Sequence, residues 1–291
     1  MRRVALQIAG LMAAVTFLTS VGATAAPPKP TATYYACTEA GILSLLTMSP
    51  HPCPSGTTPT SGAFRGANFA DAQLRHVRLQ NTDLRGANLV GADISHANFK
   101  AVFAKGADFA GVHAIGTQLY AANLRFSRFT GANLTGADLS GSKLAGATFD
   151  RADFWGADLS NIDAPGVRFN GAAFLGVNLD RANMTTATLS GVRSGGILGQ
   201  PELPPDWSIH VGYLLGPTAN LVGANLSDLV LRGVDLSRAS LEHADLSHTR
   251  FVGANLRGAK FGSAAITGVA FDETTICPNG RFFAHGGNCP A

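Results

Sequence analysis

The sequence has few charged residues. Asp, Glu, Lys and Arg make up 14% of its 291 residues, well below the roughly 25% of a typical soluble domain. Tryptophan and tyrosine are scarce too, at two and four, although phenylalanine reaches 17. Disordered chains combine low hydrophobicity with high net charge, whereas this chain is 46% hydrophobic and carries a formal net charge of +3. The composition therefore excludes both a disordered chain and a strongly acidic protein.

The sequence also lacks the motifs that carry chemistry. It contains no phosphate-binding loop, no metal-binding motif and no Ser-His-Asp arrangement, and its carboxylates occur singly. Acid–base catalysis and metal binding both need such groups held together. We therefore predict a protein that is not an enzyme and that binds no cofactor and no metal. His76 and His96 could begin a metal site, but no third ligand accompanies them in the sequence.

The N-terminus has the layout of an export signal. Arg2 and Arg3 precede an apolar stretch, residues 4–21, which ends in the small residues 22–26. Positive, apolar and small-residue regions in this order are typical of a signal peptide, so we predict cleavage after Ala25 or Ala26. The protein is then secreted or held in the cell envelope. The stretch is nearly long enough to span a bilayer, which leaves an uncleaved membrane anchor as the alternative.

The middle of the chain repeats every five residues. Every fifth residue from Phe64 to Leu189 is apolar, over 26 positions, and a second register covers 12 positions from Leu221 to Ile276. In the first run a small residue, usually alanine, lies two positions before each, with Ile162 as the bulky exception, and Asn or Asp often lies between them. Neither a helix nor a flat strand keeps such a pattern on one face. The period therefore predicts a chain that bends every five residues and turns both the apolar and the small residue inward.

This pattern resembles the pentapeptide repeat family, whose motif is A-(D/N)-L-x-x. Two full matches are Ala132-Asn133-Leu134-Thr135-Gly136 and Ala254-Asn255-Leu256-Arg257-Gly258, and the resemblance covers about residues 62–194 and 219–276. It implies an all-β fold, a right-handed quadrilateral β-helix with four repeats per coil. The 38 repeats in the sequence would make about 9.5 coils, and the usual sheet spacing of about 4.8 Å makes these a rod roughly 45 Å long.

The remaining segments are predicted to cover and interrupt this rod. Stacked coils bury a core for each other, so end coils need caps. We predict an N-terminal cap at 27–63, a first run at 64–194, a Pro-rich spacer at 195–218, a second run at 219–276 and a C-terminal cap at 277–291. The spacer contains an alternating strand-like pattern from Trp207 to Leu215. It is either a partner-binding loop or, as we favour, a strand that packs on the rod and resets the register.

Cysteine usage agrees with export. Two cysteines, Cys37 and Cys53, precede the repeats, and two others, Cys277 and Cys289, follow them. Three pairings are possible, and the long rigid block between the pairs favours the local ones, Cys37–Cys53 and Cys277–Cys289. Each such disulfide closes a short loop and contributes about 3 kcal/mol in the chain-entropy model. A zinc site made of all four thiolates is the alternative, but the close C-x2-C spacing is missing.

Four repeats per coil would stack residues that lie twenty apart. One inner column would then hold a ladder of phenylalanines, and the coil that contains Ala104 and Ala114 would be under-filled unless Phe103 turned inward. An outer strip of Trp155, Leu175 and Ile115 could receive the spacer or a second molecule. The phenylalanines of the ladder are Phe69, Phe109, Phe129, Phe149 and Phe169.

A second outer column is basic and is our candidate anion-binding site. It consists of Arg65, Arg85, Lys105 and Arg125, and Arg suits the recognition of phosphate and carboxylate. The alternative is a solvated face whose charge is reduced by the nearby Asp83. Residues 63–130 hold 8 Lys and Arg against 4 Asp and Glu, whereas the later repeats are slightly acidic.

The function predicted from these features is an exported, non-enzymatic scaffold that binds through its surface or acts in the cell envelope. Its partner is unknown, with an envelope polyanion or another protein as the candidates; nucleic acid is not expected, and a membrane only if the signal stays uncleaved. One alternative comes from the resemblance, because some relatives mimic DNA and bind topoisomerase through a dense negative surface. A secreted effector or adhesin is the other alternative.

Overall fold

The computed structural model describes residues 35–39, 42–47, 64–283 and 289. The predicted signal peptide, most of the predicted N-terminal cap and Cys53 lie outside these residues. The described parts contain strands, bridges and turns but no helix. Accordingly, no helix there has the length and apolar character needed to cross a membrane. The strands are β1 Tyr35–Glu39, β2 Ile42–Thr47, β3 Ala173–Leu175, β4 Arg193–Gly195, β5 Ser208–His210, β6 Tyr213–Leu215, β7 Val230–Arg232, β8 Arg250–Val252 and β9 Ala270–Phe271.

Most of the chain forms a solenoid whose turns pair by single parallel bridges. The bridges join residues twenty apart, beginning with Asn68 and Asn88 and then advancing by five residues to Gln73 and Asp93. Twenty residues hold four pentapeptides, so one turn of the solenoid has four faces. The short strands β3 and β4, and likewise β7 to β9, are places where this parallel pairing extends to two or three residues.

Each corner of a turn is closed by a short backbone hydrogen bond. The amide of Ala67 donates to the carbonyl of Phe64 over 3.0 Å, while the Phe64 amide donates to the backbone carbonyl of Asp83 in the next turn over 2.7 Å. The side chain of Asn88 completes the pattern, because its Oδ1 accepts from the amide of Val90 at 3.1 Å. Asn and Asp favour such local turns, which explains why they precede the apolar residue of so many repeats.

The core confirms the predicted register. All 26 apolar positions of the first run are buried. Within the predicted ladder, the ring centroids of Phe109 and Phe129 lie 4.4 Å apart, those of Phe129 and Phe149 4.8 Å apart, and those of Phe149 and Phe169 5.4 Å apart. Stacked side chains of this kind bury each other's faces, so the interior is continuous from turn to turn.

The expectation that Phe103 turns inward is wrong. Its side chain stays outside, and the residue is 51% exposed. Phe103 lies between two inward-facing residues, Val102 and Ala104, so the alternation of the backbone directs it outward. Around this turn the two alanines, Ala104 and Ala114, alternate with Phe99 and Phe109, and all four residues are fully buried.

The spacer forms an antiparallel hairpin of β5 and β6. Its neighbouring residues Leu214 and Leu215 are buried in the cores of the first and second runs respectively, and Trp207 packs against both cores. Arg193 bridges Asn220, twenty-seven residues on instead of twenty. The spacer therefore packs on the solenoid, adds seven residues to one turn and returns the chain to the same face.

The C-terminal end departs from the expected interior, most clearly at Ile266. Ile266 is 56% exposed, although the period places it inside, and Phe271 is only half-buried. Ile266 is exposed because it lies near the end of the solenoid. Its neighbour Ala265 bridges Asp245 of the preceding turn, but among the described residues no bridge joins Ala265 to a following turn. Beyond it, Cys277 and Cys289 form a disulfide, the local pairing favoured by the sequence, while the proposed Cys37–Cys53 pair involves a residue outside those described.

Candidate anion-binding surface

The four residues of the basic column follow one corner of the solenoid. Each comes directly after an inward-facing residue, and consecutive members lie in adjacent turns because the bridges join residues twenty apart. Arg65, Arg85 and Lys105 are exposed, and Arg125 is half-buried. The structure thus brings together the four side chains that the sequence predicts, in one line on the outside.

Arg85 is not available as a free cation. Its Nε and Nη2 donate to the two carboxylate oxygens of Asp83 over 2.8 and 2.5 Å. This pairing holds the pKa of Asp83 below its ordinary value, with the hydrogen bond from the Arg85 side chain as the main cause and the charge of Arg65 as a smaller one. Asp83 therefore stays ionised and offsets one positive charge of the column.

Lys105 and Arg125 have weaker partners. The ammonium of Lys105 lies 5.4 Å from the ring centroid of Phe126, a cation–π contact that leaves the positive charge uncompensated. Arg125 lies 4.0 Å from the carboxylate of Asp163, at the limit of an ion pair. Of Arg85, Lys105 and Arg125, Lys105 is therefore the one whose positive charge is not offset by a carboxylate among the described residues.

Several other arginines of the rod are paired with carboxylates. The guanidinium of Arg128 donates to both oxygens of Asp108 in the preceding turn, over 3.0 and 2.7 Å. Arg75 pairs with Asp93 over 3.1 Å. These contacts neutralise the neighbouring faces, so the basic column is distinguished by incomplete pairing as much as by its number of cations.

Buried polar groups serve the backbone. The hydroxyl of Thr117 donates to the carbonyl of Ile94 over 2.8 Å, and that of Ser142 donates to Leu119 over 2.7 Å. Thr249 repeats the arrangement in the second run, donating to Leu226 over 2.7 Å. Because these hydroxyls are already hydrogen-bonded inside an apolar core, any binding function falls to the outer surface.

The predicted histidine pair stacks as expected from its spacing. The rings of His76 and His96 are 5.4 Å apart and inclined by 11°. Within the described part of the chain, no group of three or more His, Cys, Asp or Glu side chains is placed to hold a metal ion. The pair therefore has no further ligand among those residues.

The apolar strip is only partly covered. Trp155 is 63% exposed. Leu175 and Tyr213 both lie close to Gly195, at 3.5 and 3.4 Å from where a Cβ on that glycine would stand. The spacer thus reaches the end of the strip beside Leu175, while Trp155 stays open to solvent.

Sequence reasoning missed three exposed aromatic residues beside the basic column: Phe103, Tyr120 and Phe126. A signal was present for Phe126, because the same corner position is glycine in the turns before and after it, Gly106 and Gly146. Gly146 leaves room for the ring: a Cβ at this position would come within 2.7 Å of Phe126. An aromatic residue in a column of glycines indicates that the ring is placed on the surface.

Several solved structures are similar to this chain. Similar solved structures include HetL, a pentapeptide repeat protein involved in heterocyst differentiation regulation from the cyanobacterium Nostoc sp. strain PCC 7120, with 24% identity over 76% of this chain and 87% of that chain and a TM-score of 0.26. QnrB1, a plasmid-mediated fluoroquinolone resistance protein, shares 16% identity over 71% of this chain and 90% of that chain, with a TM-score of 0.30. No curated protein sequence matches significantly.

Family membership rests on the repeats themselves. The pentapeptide repeats family matches eight copies, at residues 67–103, 105–141, 117–156, 156–191, 219–258 and 235–272. These matches cover more than half of the chain and both of its runs. The chain therefore belongs to the pentapeptide repeat family, whose fold is a right-handed β-helix.

Proposed function

We propose that this protein is an exported, non-enzymatic scaffold of about 9.5 coils that binds an envelope polyanion along its basic column. The observation that carries the proposal is the line of Arg65, Arg85, Lys105 and Arg125 on one corner. A rod with a closed apolar core offers side chains only on its outside, and these four are the largest group of like charges there that follows one line.

The polymer in this proposal lies along the rod. Adjacent turns repeat at about the sheet spacing, roughly 4.8 Å, so the four cations span a short stretch of a flexible polyanion. Binding releases counterions from the polymer, and affinity should therefore fall steeply with salt. The pairing of Arg85 with Asp83 weakens the positive electrostatic potential of the column. Such a surface is better suited to a polymer, which makes several contacts at once, than to a single small anion.

The export half of the proposal is tested by cell fractionation with N-terminal sequencing. We expect a mature protein that begins near Pro27, outside the cytoplasm, with Cys37 and Cys53 joined as well as Cys277 and Cys289. Intact mass with free thiols at all four cysteines, or an intact Met1 terminus in the cytoplasm, would contradict export. Recovery from the culture medium alone would instead favour the secreted effector or adhesin.

The binding half is tested by pull-down of envelope polymers and heparin at low salt. A variant with Arg65, Arg85, Lys105 and Arg125 all changed to Gln should lose binding. If the wild type and this variant bind the polymers equally, or if neither binds them, the column is only a solvated face. Changing Arg232, Arg238, Arg250 and Arg257 in the second run to Gln removes the same charge elsewhere on the rod and provides the matched control.

The DNA-mimic alternative has less support. Such a protein needs a dense negative surface that resembles duplex phosphate, whereas the residues 63–130 of this chain are net basic and the whole sequence carries +3. Inhibition of a topoisomerase by the purified protein would favour this alternative over the proposal.

A further inference from the structure

The three exposed aromatic residues lie around one short stretch of one face. Asp83 and Phe103 form one of the bridges of this face, followed by Phe103 with Asn123 and Asn123 with Lys143. Tyr120 and Phe126 lie three residues to either side of Asn123, at the two corners that border the face. Phe103, Tyr120 and Phe126 are 51%, 43% and 61% exposed.

Lysines accompany these rings. The ammonium of Lys100 lies 4.9 Å from the ring centroid of Tyr120, and that of Lys105 lies 5.4 Å from that of Phe126. Each lysine comes from the turn before its aromatic partner, so the two cations border the face on opposite sides. Lys143, also exposed, is the next residue on the face after Asn123. We name this group of Lys100, Phe103, Lys105, Tyr120, Asn123 and Phe126 the aromatic–basic patch.

The charge and the position of the patch limit the classes of ligand that it can bind. No carboxylate belongs to the patch. Two carboxylates on the same face, Asp83 and Asp163, pair with Arg85 and Arg125. The patch lies on the outside of the rod, where a polymer chain that lies across it contacts several of its side chains at once. Flat aromatic faces attract the weakly positive C–H groups of a sugar ring.

Asn123, at the centre, supplies a polar contact. Its Oδ1 accepts from the amide of Arg125 at 3.5 Å, and its amide nitrogen takes no part in that bond. An amide donor on a face that is bordered by aromatic rings and ammonium groups offers contacts to the hydroxyl, C–H and carboxylate groups of a uronic-acid polymer.

We propose that the aromatic–basic patch binds an acidic polysaccharide, with its rings packing on sugar residues and its lysines pairing with carboxylates. This inference rests on the proposed function, because export is what makes a polysaccharide, and not a nucleic acid, the polyanion that the protein meets. It adds a chemical class of ligand, since the basic column alone would accept any flexible polyanion.

The test measures affinity at low salt for polygalacturonate, polyphosphate and single-stranded oligothymidylate. The variant changes Phe103, Tyr120 and Phe126 to Ser, and the control changes Trp155 and Ile115, exposed on another corner, to Ser. We expect the triple variant to bind polygalacturonate about tenfold more weakly, while its affinity for polyphosphate stays that of the wild type. The control should bind both polymers as the wild type does, and unchanged melting temperatures would exclude unfolding.

Three results would overturn the inference. The triple variant could bind polygalacturonate as the wild type does, it could lose polyphosphate equally, or oligothymidylate could bind the wild type more tightly than polygalacturonate at the same salt. The last result would assign the patch to nucleic acid, where bases stack on aromatic rings. If the wild type binds none of the polymers, the proposed function itself is refuted. If the wild type binds polyphosphate and the triple substitution changes no affinity, only the inference about the patch is refuted.

Discussion

The indole ring of Trp207 lies directly over Gly216, at a place where a Cβ on residue 216 would overlap the ring. Because Trp207 packs against both cores, this contact helps to hold the two runs together. We expect Gly216→Ala to lower the free energy of unfolding by about 1–3 kcal/mol, the usual result of overpacking. Chemical denaturation of the wild type and the variant measures this difference in the free energy of unfolding.

The same contact predicts strong coupling between the two positions. In a Trp207→Ala background the added methyl group has space, so Gly216→Ala should cost much less there than in the wild type. A double-mutant cycle gives the coupling energy, which for contacting residues is about 0.5–3 kcal/mol. Additive effects of the two substitutions would show that the ring does not occupy this position in solution.

A charge inside the rod should be far more destabilising than a charge outside. Phe129 is fully buried between Phe109 and Phe149, so Phe129→Asp would bury an unpaired carboxylate and leave a cavity, at a cost of about 4 kcal/mol or more. Thr135→Asp, on the outer side of the next repeat, is the control and should change stability little. Equal melting temperatures of the two variants would refute the register.

Acid should weaken the C-terminal end of the solenoid through Asp272. Its carboxylate accepts from the amide of Gly253 at 2.9 Å and from the hydroxyl of Thr274 at 2.9 Å, and these bonds, with the amide of Gly253 first, lower its pKa from 3.8 to about 2. A carboxyl group with a lowered folded-state pKa stabilises the fold above its unfolded value and loses that contribution as the pH falls.

The expected window for this loss therefore runs from about pH 4 down to about pH 2. Hydrogen exchange of the Gly253 amide should accelerate there once the intrinsic pH dependence is removed, and NMR titration should give the low pKa directly. In Asp272→Asn the acid-dependent part should vanish. A pKa near the ordinary value would contradict the hydrogen bonds.

Freeing Arg85 should strengthen polyanion binding. Asp83→Asn keeps a side-chain oxygen for the Arg85 amide, which donates to Asp83 Oδ1 over 3.1 Å, but removes the charge that engages the guanidinium. Affinity for a polyanion should rise, and the slope of log affinity against log salt should steepen by about one. Stability should fall by no more than about 1 kcal/mol, as for an exposed ion pair.

Asp153→Asn makes the same change of charge on the opposite face and is the matched control. Its carboxylate likewise accepts from a backbone amide, that of Trp155, at 3.0 Å. An equal gain in affinity from both substitutions would mean that the polymer responds to net charge and not to the basic column.

The period of five was enough to predict which residues share a face of the rod, but it did not predict the contacts between outer side chains. It placed Phe129 in the core because inward positions follow from backbone alternation alone. The prediction for Phe103 was wrong because it gave more weight to the small volume of the neighbouring core alanines than to that alternation. The prediction for Ile266 was wrong because the period does not show where the solenoid ends and the last inner residues lose the turn that would cover them. The contact of Lys105 with Phe126 depends on the directions of two side chains at the corners of adjacent turns. The only sign of it in the sequence is that Phe126 stands where the adjacent turns have glycine.

The bridge between Arg193 and Asn220 bears on how such a rod changes length in evolution. A duplication of twenty residues inserts one whole turn and leaves every downstream side chain on its former face. A duplication of five residues instead moves each downstream face by a quarter turn and would divide any binding surface that crosses the point of insertion. The seven additional residues of this turn avoid that outcome, because the hairpin absorbs them and Asn220 resumes the face of Arg193. A length of inserted sequence that is not a multiple of five can therefore enter at this corner without loss of alignment, because it folds back on itself as a hairpin.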